Sequence, residues 1–152
     1  MNVHATGVVL AGKGVMLRGP SGSGKSLLAL LLLDAFESRG QRAVLVADDQ
    51  LTVTAAGGRV TMHAPQNIVG LIELRGRGIV KRPFVASARL RLVVDLVETL
   101  ERMPEEDAFE TRILDIAVPR CPVPRVGIVD SQHQLMLVRE ALRTLGPRPK
   151  NT

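Results

Sequence analysis

Hydrophobic residues, polar residues and glycines in the first fifty positions follow the pattern of strands flanking one helix. VVLAGKGVML, residues 8–17, predicts two strands around a Gly-Lys-Gly turn, and the second strand leads into GPSGSGKS, residues 19–26. Residues 25–39 are rich in leucine and alanine and stop at Gly40, which predicts a helix closed by a glycine C-cap. AVLVADD, residues 43–49, predicts a buried strand ending in two aspartates. This order of elements predicts an α/β fold.

Further strands are predicted in the second part of the chain. LTVTAAGGRVTM, residues 51–62, predicts a hairpin around Gly57 and Gly58. Two more strands are predicted at residues 89–94 and 113–118, and PEEDAFE, residues 104–110, is predicted to be an acidic surface loop.

The C-terminal region predicts one more helix. Leucine and valine recur at helical spacing over residues 131–145, which predicts an amphipathic helix closed by Gly146. No internal repeat or linker interrupts the chain. We therefore expect a single domain over residues 1–146, followed by a flexible tail at residues 147–152.

Length and composition fit one soluble domain. The chain has 152 residues, of which 45% are hydrophobic and 23% charged. The longest apolar run, residues 27–33, is too short to span a bilayer, so we expect no membrane association. Cys121 is the only cysteine, and the N-terminus carries no signal-peptide pattern. These features favour a reducing cytoplasm.

The net charge of +5 favours anionic ligands. Most of the 20 cationic residues are arginine, whose guanidinium forks onto phosphate or carboxylate. Nucleic acid is the usual alternative for a basic chain, but without Trp or Tyr, and with three Phe, the sequence offers few platforms for base stacking. The cations are also scattered, so we expect no dedicated nucleic-acid role.

The segment GPSGSGKS fits the pattern GxxxxGK[ST] of a nucleotide-binding P-loop. Its glycines let successive N–H groups point inward, and the following helix adds its positive end, so that phosphate oxygens are bound. Lys25 is predicted to neutralise the β and γ phosphates and the Ser26 hydroxyl to bind magnesium. The alternative, a glycine turn that only caps a helix, needs neither side chain. The predicted nucleotide-binding residues are Gly19, Pro20, Ser21, Gly22, Ser23, Gly24, Lys25 and Ser26.

Two consecutive aspartates, Asp48 and Asp49, end the predicted strand after the helix. A P-loop alone does not distinguish hydrolysis, phosphoryl transfer and sensing of a nucleotide. Adjacent strand residues point to opposite faces, so we expect different roles for the two carboxylates. If one holds magnesium and the other accepts a proton from an attacking hydroxyl, the pair suits a kinase. The alternative is a polar surface turn.

LIELRGRGIV, residues 71–80, places Glu73, Arg75 and Arg77 among glycines and aliphatic residues. This composition suits a loop that delivers a carboxylate and guanidiniums to phosphate. We therefore predict a loop here that contributes to the nucleotide site.

Taken together, these segments resemble the catalytic domain of HPr kinase/phosphorylase, the bacterial enzyme that phosphorylates a serine of the phosphocarrier protein HPr. VHATG, GPSGSGKS and VADD are similar to the family's histidine segment, nucleotide loop and paired aspartates. LIELRGRGI is similar to its signature segment, and TRILDIAVP followed by PVPRVG to its C-terminal catalytic segment. The resemblance covers most of the chain and implies a single P-loop nucleotide-binding domain, with a strand-rich mixed sheet and flanking helices.

The resemblance also implies a role for each matched residue. Lys25 would contact phosphate. Ser26 and Glu73 would bind magnesium. The division of roles within the aspartate pair then predicts Asp48 as a further magnesium ligand. Asp49 would accept the proton of the substrate serine in the forward reaction.

His4 and Arg112 complete the implied catalytic set. The alternatives are that His4 is a terminal residue without a role and that Arg112 is a surface cation. The resemblance further implies ATP and Mg²⁺ as cofactors, HPr as the protein partner and a homo-oligomer, which is a hexamer in the family. The chain starts almost directly at the catalytic domain and in this resembles the short forms of α-proteobacteria.

Two positions depart from the family pattern. Leu27 stands where the family usually has an acidic residue after GKS, and PVPRVG is one residue shorter and lacks a second basic residue. The second segment is associated with dephosphorylation, so the sequence favours the kinase activity and leaves phosphorylase activity open. Two rival functions also stay open: a nucleotide-dependent sensor with weak catalysis, and a kinase that acts on a small molecule.

Overall fold

The computed structural model describes residues 1–145, which form a curled mixed sheet of nine strands, a separate two-stranded hairpin and two α-helices. The sheet order is β1-β5-β6-β9-β3-β2-β4, with β11 also paired to β9 and β10 paired to β11. In chain order the elements are β1 (Asn2–Val3), β2 (Thr6–Leu10), β3 (Lys13–Arg18), α1 (Lys25–Glu37), β4 (Ala43–Ala47), β5 (Leu51–Ala56), β6 (Arg59–His63), β7 (Leu71–Leu74), β8 (Gly78–Lys81), β9 (Ser87–Val97), a 3-10 helix (Glu106–Phe109), β10 (Glu110–Ile113), β11 (Ile116–Pro124) and α2 (Ser131–Arg143).

Alternate residues of the central strands supply two apolar layers. On one face, Val15, Leu17 and Val94 pack with residues of α1 and α2. On the other face, Met16 and Val93 pack with residues of β5 and β6. Because successive strand residues point to opposite faces, an almost unbroken apolar sequence such as GVML serves both layers. The predicted mixed sheet with flanking helices is confirmed.

Three parallel strands place the P-loop. β9 runs parallel to both β3 and β11, with Val94 paired to Leu17 on one side and to Cys121 on the other. The carboxyl ends of the three strands therefore lie at one edge of the sheet, which we call the P-loop edge. Loops at such an edge commonly hold ligands, and the P-loop leaves β3 there.

The first half of the chain follows the sequence prediction closely. The turn between β2 and β3 lies at Ala11 and Gly12, one residue earlier than predicted, and β4 ends at Ala47 instead of including the aspartates. Helix α1 ends at Glu37, and Gly40 follows with a φ of 74°. The hairpin of β5 and β6 around Gly57 and Gly58 is confirmed.

One strand prediction and one loop prediction were wrong. The single strand predicted at residues 113–118 is broken by Leu114 and Asp115, whose φ angles of 49° and 64° form the turn between β10 and β11. The segment 71–80, predicted to be a loop, is the β7–β8 hairpin, because its aliphatic residues alternate on either side of the arginine-containing turn. Most of the predicted acidic loop forms the 3-10 helix.

Helix α2 begins where Asp130 caps it, with the Asp130 carboxylate accepting a hydrogen bond of 2.9 Å from the His133 amide. The predicted C-cap Gly146 and the tail at residues 147–152 lie outside the described residues. Within residues 1–145, no helix combines the length and the apolar character needed to cross a membrane.

Candidate active site

The P-loop is a close-packed turn that only glycine permits at several positions. A Cβ at Gly19 would lie 2.6 Å from Ser23 Oγ and 3.1 Å from Leu96 Cβ, so the loop packs against the end of β9. Gly22 and Gly24 have φ angles of 81° and 95°, a region that L side chains rarely adopt. The turn ends at the N-terminus of α1, where backbone N–H groups and the helix dipole favour an anion.

Lys25 lies under the loop and is only 7% exposed. Its Nζ donates to the carbonyls of Gly19 at 2.8 Å and Pro20 at 3.4 Å, and lies 3.7 Å from Asp49 Oδ1. Three neighbours therefore hold the ammonium group beside the backbone of the P-loop. This is the position from which a P-loop lysine contacts phosphate oxygens.

Asp48 is the centre of the hydrogen-bond network. Its Oδ1 accepts from Ser26 Oγ at 2.7 Å and from Thr6 Oγ1 at 3.0 Å, and its Oδ2 accepts from the backbone N–H of Glu73 at 3.1 Å. Three separate elements, α1, β2 and β7, thus fix one carboxylate next to the P-loop serine.

Thr6 belongs to this network and was missed by the sequence analysis. It is fully buried in β2, and besides donating to Asp48 it accepts a hydrogen bond of 3.1 Å from the backbone N–H of Asp49. One hydroxyl therefore positions both aspartates. The available signal was a single hydroxyl-bearing residue in an otherwise apolar strand, TGVVL.

Asp49 differs from Asp48 in its backbone and exposure. Its φ is 61°, an uncommon left-handed conformation for a residue other than glycine, and its side chain is 59% exposed. Because β4 ends at Ala47, strand alternation does not apply to the two aspartates, and both contact P-loop residues. Backbone strain of this kind clusters at functional sites.

Glu73 lies on β7, next to Asp48. Its side chain is exposed and makes no hydrogen bond or ion pair within the described part of the chain, whereas its neighbour Ile72 is buried in the core with residues of α1. Residues 1–145 contain no cluster of three acidic, His or Cys side chains that could form a closed metal cage. The oxygen atoms of Ser26 and Asp48, with Glu73 alongside, instead fit Mg²⁺, which is commonly held by one or two carboxylates and by substrate phosphates.

Two predicted catalytic residues are not joined to this network. His4 is exposed, and within residues 1–145 it forms no hydrogen bond or ion pair. Arg112 is exposed on β10, where its guanidinium donates to the carbonyl of Asp115. Arg112 pairs with Ala117 near the start of β11, so it lies toward the edge of the sheet opposite the P-loop.

Arg125 is the arginine of the C-terminal segment that reaches the P-loop edge. Its backbone N–H donates to Val97 O at 3.0 Å, just beyond the paired ends of β9 and β11. Its side chain pairs with Glu98 at 2.5 Å. Arg125 lies in the PVPRVG segment, whose sequence pattern did not single it out as a site residue.

A second charged cluster, formed by Asp95, Arg18 and Arg120, lies next to the start of the P-loop. Asp95 accepts two hydrogen bonds from Arg18, at 2.7 and 2.8 Å, and one from Arg120. Burial raises the pKa of Asp95, but the hydrogen bonds and charges of both arginines outweigh it and hold the pKa below its ordinary value. Hydrogen bonding to Asp95 raises the pKa of Arg18, the residue immediately before the P-loop.

The chain is similar in sequence and in fold to proteins of one known family. A family model described as the HPr Serine kinase C-terminal domain matches residues 1–143. The HPr kinase/phosphorylase of Caldanaerobacter subterraneus subsp. tengcongensis is 36% identical over 82% of this chain and 43% of its own length. That of Levilactobacillus brevis is 34% identical over 92% of this chain and 46% of its own length.

A solved structure shares the fold over nearly its whole length. The structure of the Hpr(Ser) kinase/phosphatase from Coxiella burnetii matches with a TM-score of 0.76 and 26% sequence identity, covering 97% of this chain and 99% of that chain. The chain spans less than half the length of the two relatives found by sequence. With the family model matching almost every described residue, the chain belongs to the HPr serine kinase C-terminal domain family.

Proposed function

We propose that this protein transfers the γ-phosphoryl group of ATP to a serine of HPr. The observation that carries the proposal is the convergence of Lys25, Ser26, Asp48 and Asp49 on one P-loop, with the two aspartates in different environments. The names of the relatives support phosphotransfer to HPr as the reaction class.

The P-loop and its lysine would bind the nucleotide phosphates. Backbone N–H groups at the start of α1 would bind phosphate oxygens, and Lys25 Nζ is held at the Gly19 carbonyl of the loop beside them. Ser26 and Asp48, with Glu73, would hold Mg²⁺. When bound, magnesium neutralises charge on the β and γ phosphates.

Asp49 is suited to receive the proton of the substrate hydroxyl. Its carboxylate is open to solvent, so a serine of a second protein can approach it, while Lys25 and Thr6 fix its position. As the serine oxygen bonds to the γ-phosphorus, the bond to ADP breaks and the hydroxyl proton moves to Asp49. The reverse reaction would use the same groups with the roles exchanged.

Several further parts belong to the same proposal. We place the protein in the cytoplasm as a homo-oligomer, a hexamer by family resemblance. The catalytic roles of His4 and Arg112 stay predictions. Within the described residues, no contact of either side chain with the P-loop network supports them.

The sensor is the second candidate, and one observation favours it. Leu27 is 44% exposed in the first turn of α1, and that turn contains no acidic residue. A site with less negative charge beside the phosphates would hold magnesium more weakly and could bind nucleotide with little turnover.

One assay separates the candidates. The protein is incubated with ATP labelled at the γ phosphate, magnesium and HPr, and acid-stable label on HPr is measured. HPr with its acceptor serine replaced by alanine, and the Lys25→Ala enzyme, serve as controls. The kinase proposal requires label on wild-type HPr alone, whereas nucleotide binding without any label on HPr would support the sensor instead.

A further inference from the structure

A second concave site lies away from the P-loop and is lined by arginines. Its volume is about 350 Å³. It is bounded by the β5–β6 hairpin, the N-terminal parts of β9 and β11, and the C-terminal end of α2. Arg59, Arg89 and Arg91 line it, around a floor that includes Leu90 and Val118. We call it the arginine cavity. Its volume falls in the range of small-ligand sites.

The arginine cavity brings three positive charges together without a carboxylate. Within residues 1–145, none of its three arginines forms an ion pair with Asp or Glu. Arg91 donates to the carbonyl of Leu145 at 3.1 Å, so this guanidinium also satisfies the end of α2. Desolvation, and then the charges of Arg59 and Arg91, lower the pKa of Arg89, although its side chain is exposed. An anion in the cavity would relieve this repulsion.

Arg112 of β10 also lies next to this region. It is directly opposite Ala117, a residue of the cavity wall, in the β10–β11 pair. Residues directly opposite each other in an antiparallel pair project to the same face of the sheet. By the same pairing Glu110 is opposite Pro119, another residue of the cavity wall, so β10 brings one arginine and one carboxylate next to the cavity.

The arginine cavity is separate from the nucleotide site. Leu90 in its floor pairs with Gly14 of β3, whereas the P-loop begins at Gly19, which at about 3.3 Å per strand residue is about 16 Å away along β3. One phosphate group cannot contact both sites at this distance.

We propose that the arginine cavity binds a small anion that carries a phosphate group. Guanidinium groups bind phosphate through paired hydrogen bonds, and Arg59 and Arg89 are the two that the described structure leaves for this purpose. This site is independent of the proposed catalytic function.

The test follows backbone amide chemical shifts while the protein is titrated with pyrophosphate. Wild type should show two sets of saturating shifts, one at residues 19–26 and one at residues 58–60 and 117–118. The double variant Arg59→Gln/Arg89→Gln should bind about tenfold or more weakly at the second set, with the first set unchanged within about twofold. Arg39→Gln/Arg102→Gln, which removes the same charge elsewhere, should retain both sets.

Four results would overturn the proposal: no saturating shifts at the cavity, shifts that persist in the double variant, equal weakening in the charge-matched control, or binding of citrate without binding of pyrophosphate. The unchanged P-loop set reports that the variant is folded. If the double variant does not fold, Arg59→Gln and Arg89→Gln are titrated singly, and each must weaken only the cavity set.

Discussion

Asp95 and Asp49 both lie near the P-loop edge, but their surroundings are opposite. Asp95 is 17% exposed, and both of its oxygens accept hydrogen bonds from arginines. Asp49 is 59% exposed, and its carboxylate has one cationic neighbour, Lys25, at 3.7 Å. The backbone of Asp49 is also in the left-handed region, while Asp95 lies in a regular strand.

This difference separates a carboxylate that supports structure from one suited to chemistry. Asp95 is surrounded by charged donors, so it has little capacity to accept a proton from a substrate. Asp49 keeps open lone pairs, and its position is fixed by the Thr6 hydroxyl acting on its backbone. The comparison predicts that substitutions in the two clusters affect different measurements.

The largest effect is expected for Lys25→Ala. Removing the ammonium group leaves a neutral backbone cradle for the β and γ phosphates, so the rate of transfer to HPr should fall below about one thousandth of wild type. The measurement is the initial rate with labelled ATP. Lys13→Ala, at the far end of β3, is the control and should retain most of the activity. A Lys25→Ala enzyme with near-normal rates would remove the P-loop from the mechanism.

Asp49→Asn should lower turnover on the order of a hundredfold or more while nucleotide affinity stays within a few-fold, because a general base is lost but the phosphate cradle is not. Asparagine tolerates the left-handed backbone, so the fold should be retained. Single-turnover kinetics and nucleotide titration measure the two quantities. Asp48→Asn is the matched comparison, and should weaken magnesium-nucleotide binding first. The opposite pattern would exchange the two roles.

The sequence predicted those site residues that belong to short contiguous motifs, and it did not predict those that join the site through contacts between distant parts of the chain. The P-loop and the paired aspartates are short patterns whose chemistry is set by neighbouring residues, and the structure brings Lys25, Ser26, Asp48 and Asp49 together. Thr6 enters the same network through pairing of β2 with β4, a contact between residues far apart in sequence. A single hydroxyl in an apolar strand marks Thr6 as unusual, but it does not indicate which residues Thr6 contacts.

The C-terminal segment shows the same limit. Leu114 and Asp115 form a turn without glycine or proline, so the pattern predicted one continuous strand where two antiparallel strands exist. This reversal carries Arg112 toward the opposite edge, while Arg125 reaches the P-loop edge. The direction of a strand within a sheet is a tertiary property, and the residue pattern along the strand does not encode it.

Asp95→Asn should mainly reduce stability, by about 2 kcal/mol at pH 7, because two partly buried arginines lose their anion. Since the folded pKa of Asp95 is lowered, its stabilisation is present above the ordinary carboxyl pKa and disappears as pH falls through the folded value. Urea unfolding should therefore show a difference between wild type and variant that shrinks toward acid pH.

The exposed pair of Arg125 and Glu98 provides the control for Asp95. Its side chains are 44% and 66% exposed, so Glu98→Gln should change stability by less than about 1 kcal/mol. Equal losses in Asp95→Asn and Glu98→Gln would mean that the buried network has no special structural role.

Glu73→Gln should raise the magnesium concentration for half-maximal activity by about fivefold to tenfold, because the substitution keeps the shape of a proposed ligand but removes its charge. Saturating magnesium should restore most of the rate. Glu37→Gln, at the end of α1, is the control. A magnesium titration that matches wild type would place Glu73 outside the metal site.

Thr6→Val is expected to have the smallest effect, and it tests how Asp49 is held. Valine keeps the shape but removes both the donor to Asp48 and the acceptor for the Asp49 amide, so kcat should fall by about fivefold while KM for ATP changes less than twofold. Thr6→Ser restores the hydroxyl and should recover kcat, whereas a purely packing role would be damaged by serine and tolerated in valine. If Thr6→Val keeps full kcat and Thr6→Ser loses it, the left-handed backbone of Asp49 is maintained without this hydroxyl, and packing of β2 against β4 is the cause.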